Sequence, residues 1–391
     1  MALNRVKKIC FLFNHDQTHQ IAHSLPIALQ MAKSGVADVT LAVTSTMAEA
    51  EIRRLSGAAL NGLKIVLLQT KSTVSQMLVR ALDSLVPARK LLVYRDNLDF
   101  FRQFDALVVS EKSSLILKTR YGLEDIKFIH TRHGAGDRAI GFNAESAQFD
   151  LILVSGEKIR DRLICDAGVP PEKIRITGYA KFDIIVPEQK PLFPESDRRT
   201  ILYNPHPSPH LSSWFKFGAE VLEQFYQSGR YNLIFAPHVM LFARPWTITI
   251  DRLSIAPAKK PPRRYNDAPH MLMDLGSPAC TDMTYTNAAD LYLGDVSSQV
   301  YEFLNRPRPC LFLDAHDTPW QGNPNYRHWA TGPVETDASD IIGAVDAAFA
   351  SQASFSDAQR AALEDSFSVT DVAASVRATA AIIDYLDQAI G

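Results

Sequence analysis

Short runs of β-branched and aromatic residues alternate along the chain with longer stretches whose apolar residues recur at helical spacing. The strand-like runs are residues 8–13, 38–43, 64–68, 106–109, 127–130, 151–154 and 174–177, followed after a break by 200–203, 233–236, 291–294 and 309–313. Amphipathic stretches at 19–34, 73–85, 158–167, 215–228 and 298–304 lie between them. This alternation predicts an α/β chain with doubly wound, Rossmann-like parallel sheets covered by helices on both faces. Ligands of such sheets bind beyond the carboxyl ends of the strands, so the loops that follow strands are the places to look for chemistry.

The break falls at residues 186–198, VPEQKPLFPESDR, where three prolines and five charged residues mark a linker. It predicts an N-terminal α/β lobe over 1–185 and a C-terminal α/β lobe over 199–355. Residues 356–391 close the chain, with Ala, Leu, Ile and Val at helical spacing that predicts one or two terminal helices. A length of 391 residues suits two domains of this size.

Composition narrows the partners. Lys+Arg 41 against Asp+Glu 43 gives a formal net charge of −2, so the chain as a whole is no nucleic-acid binder and any basic site is local. Cys10, Cys165, Cys280 and Cys310 are far apart and form no C-x-x-C pair, which points to a reducing cytoplasm. The N-terminal apolar run ends in Asn14-His15-Asp16, too soon for a signal peptide, and reads as a first strand. No stretch approaches the roughly 18 apolar residues of a membrane-spanning helix, which leaves a soluble chain or one at the inner face of the cytoplasmic membrane.

Three post-strand segments carry candidate chemistry. Asp295-Val296-Ser297-Ser298 follows the run 291–294 and opens a helical stretch. A helix N-terminus offers free N–H groups and the positive end of a dipole, and two hydroxyls there complete a cradle for phosphate. Ordinary capping would also place Asp and Ser at this point. His130-Thr131-Arg132-His133-Gly134-Ala135-Gly136-Asp137-Arg138 follows the run 127–130. Its glycines let backbone approach a ligand, and His133 with Asp137 four residues on suits general-base chemistry, while a tight solvated loop is the plainer alternative. Phe235-Ala236-Pro237-His238 ends a strand in Pro-His.

Other clusters weigh less. His15, His19 and His23 stand four residues apart, a spacing that would place them on one polar helix face, with no carboxylate or cysteine to complete a zinc set. Asn204-Pro205-His206-Pro207-Ser208-Pro209-His210 is too rich in proline for a helix and follows a strand. Lys259-Lys260-Pro261-Pro262-Arg263-Arg264 is a basic loop that suits phosphate, anionic lipid or plain solvent. Residues 73–94 form an apolar-rich stretch with Arg80, Arg89 and Lys90, either a core helix or a peripheral membrane contact.

Taken in order, these segments resemble the CDP-glycerol glycerophosphotransferases of the teichoic-acid type, a family with two lobes in the GT-B architecture. The likeness rests on the His133-Gly134 loop, on Ile176-Thr177-Gly178-Tyr179-Ala180-Lys181-Phe182-Asp183, on Thr200-Ile201-Leu202-Tyr203-Asn204-Pro205, on Pro237-His238, and on the block from Ala289 through Asp295-Val296-Ser297-Ser298 to Glu302-Phe303. It covers roughly residues 125–315. This chain departs from the family at Ala135, where an HGT loop has threonine, at Val296, the aromatic of DYSS, and at Val239, the second proline of PHP.

The resemblance implies in-line attack of a hydroxyl of a glycan or lipid-linked acceptor on the β-phosphorus of a CDP-glycerol-like donor, with release of CMP. By it, His133 is the base and Asp137 orients its ring. His238, Pro237, Asp295, Ser297 and Ser298 hold the donor, and Glu302, one turn past Ser298, reaches the ribose unless it is an exposed helix glutamate. Arg132, Gly134 and Arg138 steer the anionic substrate, with His15 and His19 on the acceptor side. No cofactor or metal is required. A GT-B glycosyltransferase, a UDP-sugar 2-epimerase and a non-catalytic nucleotide-binding assembly protein are the rival readings.

Overall fold

The computed structural model describes residues 5–15, 18–60, 62–72, 88–132, 134–138, 141–184, 191–249 and 254–390. The helix expected over 73–85, residues 186–190 of the linker, and His133 lie outside the described residues. The chain divides into two compact units, one of Met1–Gly134, Ile140–Ile185 and Asp365–Gly391, the other of Ala135–Ala139 and Val186–Glu364.

The first unit is built on a seven-stranded parallel sheet. Its strands are β1 (Lys8–Phe13), β2 (Asp38–Val43), β3 (Lys64–Leu67), β4 (Ala106–Val109), β5 (Lys127–Thr131), β6 (Leu151–Val154) and β7 (Ile174–Ile176), in the order β3-β2-β1-β4-β5-β6-β7. β1 lies inside the sheet, and its alternation is read out on both faces. Ile9, Phe11 and Phe13 pack with one helical layer and Cys10 and Leu12 with the other, all at most 1 % exposed. Burial on both faces is why the strand reads as a continuous apolar run rather than alternating with polar residues. Each such side chain contributes about 1.5–3 kcal/mol relative to exposure.

The stretch expected as one helix over 19–34 is split. Thr18–His23 is a 3-10 turn and Leu25–Ser34 an α-helix that carries Pro26 in its first turn, where the missing N–H costs nothing. Gly35, at φ +68, ends it. The histidines at 15, 19 and 23 therefore share no helix face. His23 is buried edge-on against Tyr179, His15 is buried in the loop after β1, and His19 is partly exposed.

The terminal segment forms two helices, Gln352–Ser366 and Ala374–Ile390. Ala374, Ala378, Ile382 and Leu386, spaced by four, enter the core of the first unit. Asp183 of the Lys181-Phe182-Asp183 segment accepts the backbone N–H of Ser375 at 2.6 Å, capping that last helix from a position 192 residues earlier.

The second unit holds a six-stranded parallel sheet of β8 (Thr200–Asn204), β9 (Asn232–Phe235), β12 (Met271–Met273), β13 (Leu291–Gly294), β14 (Cys310–Leu313) and β15 (Val334–Glu335). The order is β12-β9-β8-β13-β14-β15. An antiparallel hairpin of β10 (Trp246–Thr249) and β11 (Ser254–Pro257) is inserted between β9 and β12. Helix Trp214–Ser228 covers one face through Trp214, Phe217, Val221, Leu222 and Phe225. No helix among the described residues is long and apolar enough to cross a membrane.

Candidate functional site

In the second unit, four segments meet at the carboxyl ends of β8, β9 and β13. The post-β8 loop carries His206, the post-β9 turn Pro237-His238, and the post-β13 turn Asp295 to Ser298. The fourth is Ala135–Ala139, which packs with this unit. Its backbone passes so close to Ser298 that a Cβ on Gly136 would sit 3.0 Å from the serine Cβ, which accounts for glycine there.

Asp295 braces this arrangement. It is fully buried, and its carboxylate accepts the N–H groups of His206 (2.9 Å), Ser213 (2.6 Å) and Val296 (2.6 Å) and the Ser213 hydroxyl (2.9 Å). Burial pushes its carboxyl up to about 6 against the pull of those hydrogen bonds. The expectation that Asp295 meets the donor is corrected: four protein donors take up its oxygens, so it positions the post-β8 loop. Pro237 is buried at the end of β9, and the next N–H, from His238, is given to the Pro205 carbonyl at 3.1 Å, aligning the two loops.

Two imidazoles result, with ring centroids 6.1 Å apart. His206 Nδ1 accepts from the Ser208 N–H at 3.0 Å and His238 Nδ1 from the Met240 N–H at 3.3 Å, which leaves the proton of each neutral ring on Nε2. Burial holds His206 well below its usual pKa, with the charges of His238, Arg138 and His210 adding to it, and pushes His238 down to about 4. Arg138 brings a guanidinium nitrogen to 3.4 Å from His206 Nε2. With that tautomer both groups are donors, and two donors converging on one point suit a shared anionic oxygen.

Ser297 is buried, and its hydroxyl makes a loose 3.4 Å contact with the Gln299 N–H. Ser298, at the N-cap of helix Gln299–Phe303, is exposed and makes no side-chain cap bond, so plain capping does not account for it. That helix has only five residues, and its contribution rests on local N–H groups rather than a long dipole. Glu302 is buried at 6 % exposure instead of lying on an exposed face.

The buried support of the site was not legible beforehand. Asp137 accepts from the Tyr301 hydroxyl at 2.7 Å and pairs with His328 Nδ1 at 2.9 Å. His328 Nε2 and Trp329 Nε1 in turn reach the Asp295 carbonyl at 3.0 and 2.8 Å. Asp137 thus anchors the segment that presents Arg138. No motif flags His328 or Trp329, and Tyr301 stands within the block from Ala289 to Phe303 without a role that its position there reveals.

The remaining predicted residues lie in the first unit. Arg132 was expected to steer substrate. Its guanidinium instead packs 4.1 Å over the Phe142 ring and donates to the Gly141 carbonyl at 2.8 Å, and burial, with Arg162 nearby, lowers its pKa to about 10. Gly134 takes φ +75 at the end of the loop after β5. His15 Nδ1 lies 3.5 Å from Glu111, whose carboxyl is held down at about 2, burial being outweighed by His15 and Lys90. His130 is buried, stacked on Phe149 at 4.5 Å with Nε2 3.1 Å from the Ser110 carbonyl, a core position.

Neither a protein-family model nor a curated protein matches the sequence. Solved structures do. The wall teichoic acid polymerase TagF is similar at TM-score 0.64 and 15 % identity, over 98 % of this chain and 90 % of that one. A Listeria monocytogenes protein assigned as a UDP-N-acetylglucosamine 2-epimerase gives TM-score 0.61 and 14 % identity over 98 % and 97 %. The S. aureus MnaA–UDP co-structure gives 0.57 and 13 % over 98 % and 97 %. The fold is GT-B. At these identities the likeness carries the architecture, two Rossmann-like parallel sheets, and no more.

Proposed function

We propose that this chain is a transferase of nucleotide-activated donors. It moves a glycerophosphate, or a similarly activated group, from a CDP-glycerol-like donor to a hydroxyl of a glycan or lipid-linked acceptor. The observation that supports this reading is the convergence of donors in the second unit: Nε2–H of His206 and His238, the Arg138 guanidinium, and the Ser298 hydroxyl and nearby N–H groups. Such a set fits diphosphate oxygens, and neutral imidazoles beside one guanidinium can stabilise charge that moves between two phosphates without an excess of fixed positive charge.

In the step proposed, the acceptor oxygen bonds to the β-phosphorus while the bond from that phosphorus to the bridging oxygen breaks. CMP leaves with the electron pair, and the hydroxyl proton passes to a base, which we assign to His133. Ser297, Ser298, His238 and Glu302 are assigned to the donor and Arg138 to its phosphates. Asp295, Asp137 and Pro237 position them.

The test is calorimetric titration with CDP-glycerol, CMP, UDP and UDP-sugars, followed by product analysis. Cytidine-selective binding with CMP release supports the reading. Uridine preference would place the chain with sugar-nucleotide enzymes such as the 2-epimerases, and nucleotide binding without turnover would leave an assembly protein. Replacing Ser297 and Ser298 by alanine should weaken nucleotide affinity, each charge-assisted hydrogen bond contributing about 1.5–3 kcal/mol. Unchanged affinity in the folded double variant would remove both serines from the site.

A further inference from the structure

The open end of the β10–β11 hairpin carries a patch that donor binding does not use. Arg244, Lys259, Lys260 and Arg263 are exposed there, and none of their side chains has a hydrogen bond or ion pair among the described residues. Arg264, next in line, is by contrast paired with Glu223. Among described residues 240–249 and 254–263 no carboxylate stands, in a chain whose formal net charge is −2. Trp246 is 57 % exposed and Met240 50 %, and Pro245, Pro257 and Pro262 are exposed beside them. The ladder sets Trp246 opposite Pro257, and the Ala258 N–H reaches the Pro245 carbonyl at 3.0 Å, so Arg244 and the Lys259–Lys260 pair flank the indole.

We propose that this patch docks the chain on an anionic lipid surface, with Trp246 at the headgroup level and the four cations at lipid phosphates. An indole is an amphipathic ring suited to the membrane–water interface, and Lys and Arg stems lie along apolar surface while their heads stay wet. Basic residues without protein partners are attracted to anionic leaflets, with an effect that fades within a Debye length. A soluble polyanion such as nucleic acid fits less well. The indole's ladder partner is Pro257 and its chain neighbours are Pro245 and Thr247, a single hydroxyl and no side-chain amide to read base edges.

The experiment is co-sedimentation of the full chain with phosphatidylglycerol/phosphatidylcholine vesicles at low and raised salt, with phosphatidylcholine vesicles as control. Binding is expected to anionic vesicles at low salt, to weaken with salt, and to shift the Trp246 emission to the blue, a shift absent in Trp246→Phe. Each cation removed should cost about fivefold in partitioning, so Lys259→Ala/Lys260→Ala/Arg263→Ala should lose on the order of a hundredfold. Its thermal midpoint should stay unchanged, since all three residues are exposed. No sedimentation at low salt, equal binding to neutral vesicles, or wild-type binding by the triple variant would each overturn the proposal. Single-stranded DNA bound as tightly as vesicles through the same residues would overturn it too. Vesicle binding uses no nucleotide, so a failed donor titration bears on the transferase reading alone.

Discussion

Asp137 Oδ2 lies 2.9 Å from His328 Nδ1, with both side chains almost wholly buried at 1 % and 4 % exposure. The residues are 191 positions apart, and the same carboxylate also accepts the His328 backbone N–H at 3.1 Å. Because His328 Nε2 faces the Asp295 carbonyl, the ring has an acceptor on each side.

Removing one partner leaves a buried group without its counterpart. Asp137→Ala and His328→Ala should each destabilise the second unit by about 3–5 kcal/mol, and the double variant by clearly less than the sum. Urea unfolding of the four proteins gives the coupling, and additive losses would mean the two residues act independently.

Acid stability should follow the histidines. In the unfolded chain an imidazole takes its proton near pH 6.5, whereas folded His238 resists until about 4 and His206 is also held down. Their contribution is whole above about pH 6.5 and is lost as pH falls toward 4. Asp295 acts in the opposite sense. With its folded carboxyl at about 6 against about 3.9 unfolded, its contribution is whole below about 4 and is lost as pH rises through 6. Two imidazoles against one carboxyl predict a net rise in stability from about pH 4 to 6.5. His238→Gln should flatten that rise in melting curves taken across the window, and an unchanged slope would refute the assignment.

Asp183 should prove structural. Its bond to the Ser375 N–H closes the start of the last helix, and loss of such a cap costs about 0.5–2 kcal/mol. Asp183→Ala should lower the thermal midpoint and expose residues 374–390 to limited proteolysis while nucleotide affinity holds. A loss of nucleotide affinity without loss of stability would give Asp183 a different role.

The base assignment is tested by a pair of variants. His133→Gln should keep the fold and donor binding, with turnover down roughly 10²–10⁴-fold. His130→Gln should cost stability first, because its ring is stacked on Phe149 inside the sheet. CMP release and thermal melting on both variants decide between them. Normal turnover in His133→Gln with a folded but inactive His130→Gln would reverse the roles.

What the chain alone determined were the buried parallel strands. β1, β2, β4, β6 and β13 fall where the apolar runs place them, because a strand covered on both faces has no polar position to interrupt it. Helix Trp214–Ser228 and the post-strand location of Pro237-His238 and Asp295–Ser298 were equally legible, since turn and cap chemistry is local. The hairpin β10–β11, the three-residue β12 and the two-residue β15 were not, being short or inserted strands that carry no run long enough to show a period. Only the tertiary structure decided which polar residues brace the loops after the strands. Asp295 reads as a ligand contact until donors from positions 82 and 89 residues away take its oxygens, and Arg132 reads as a steering charge until Phe142 covers its guanidinium. A side chain's role depends on which groups reach it after folding, and for Asp137 and Asp295 those groups come from segments that no local spacing connects.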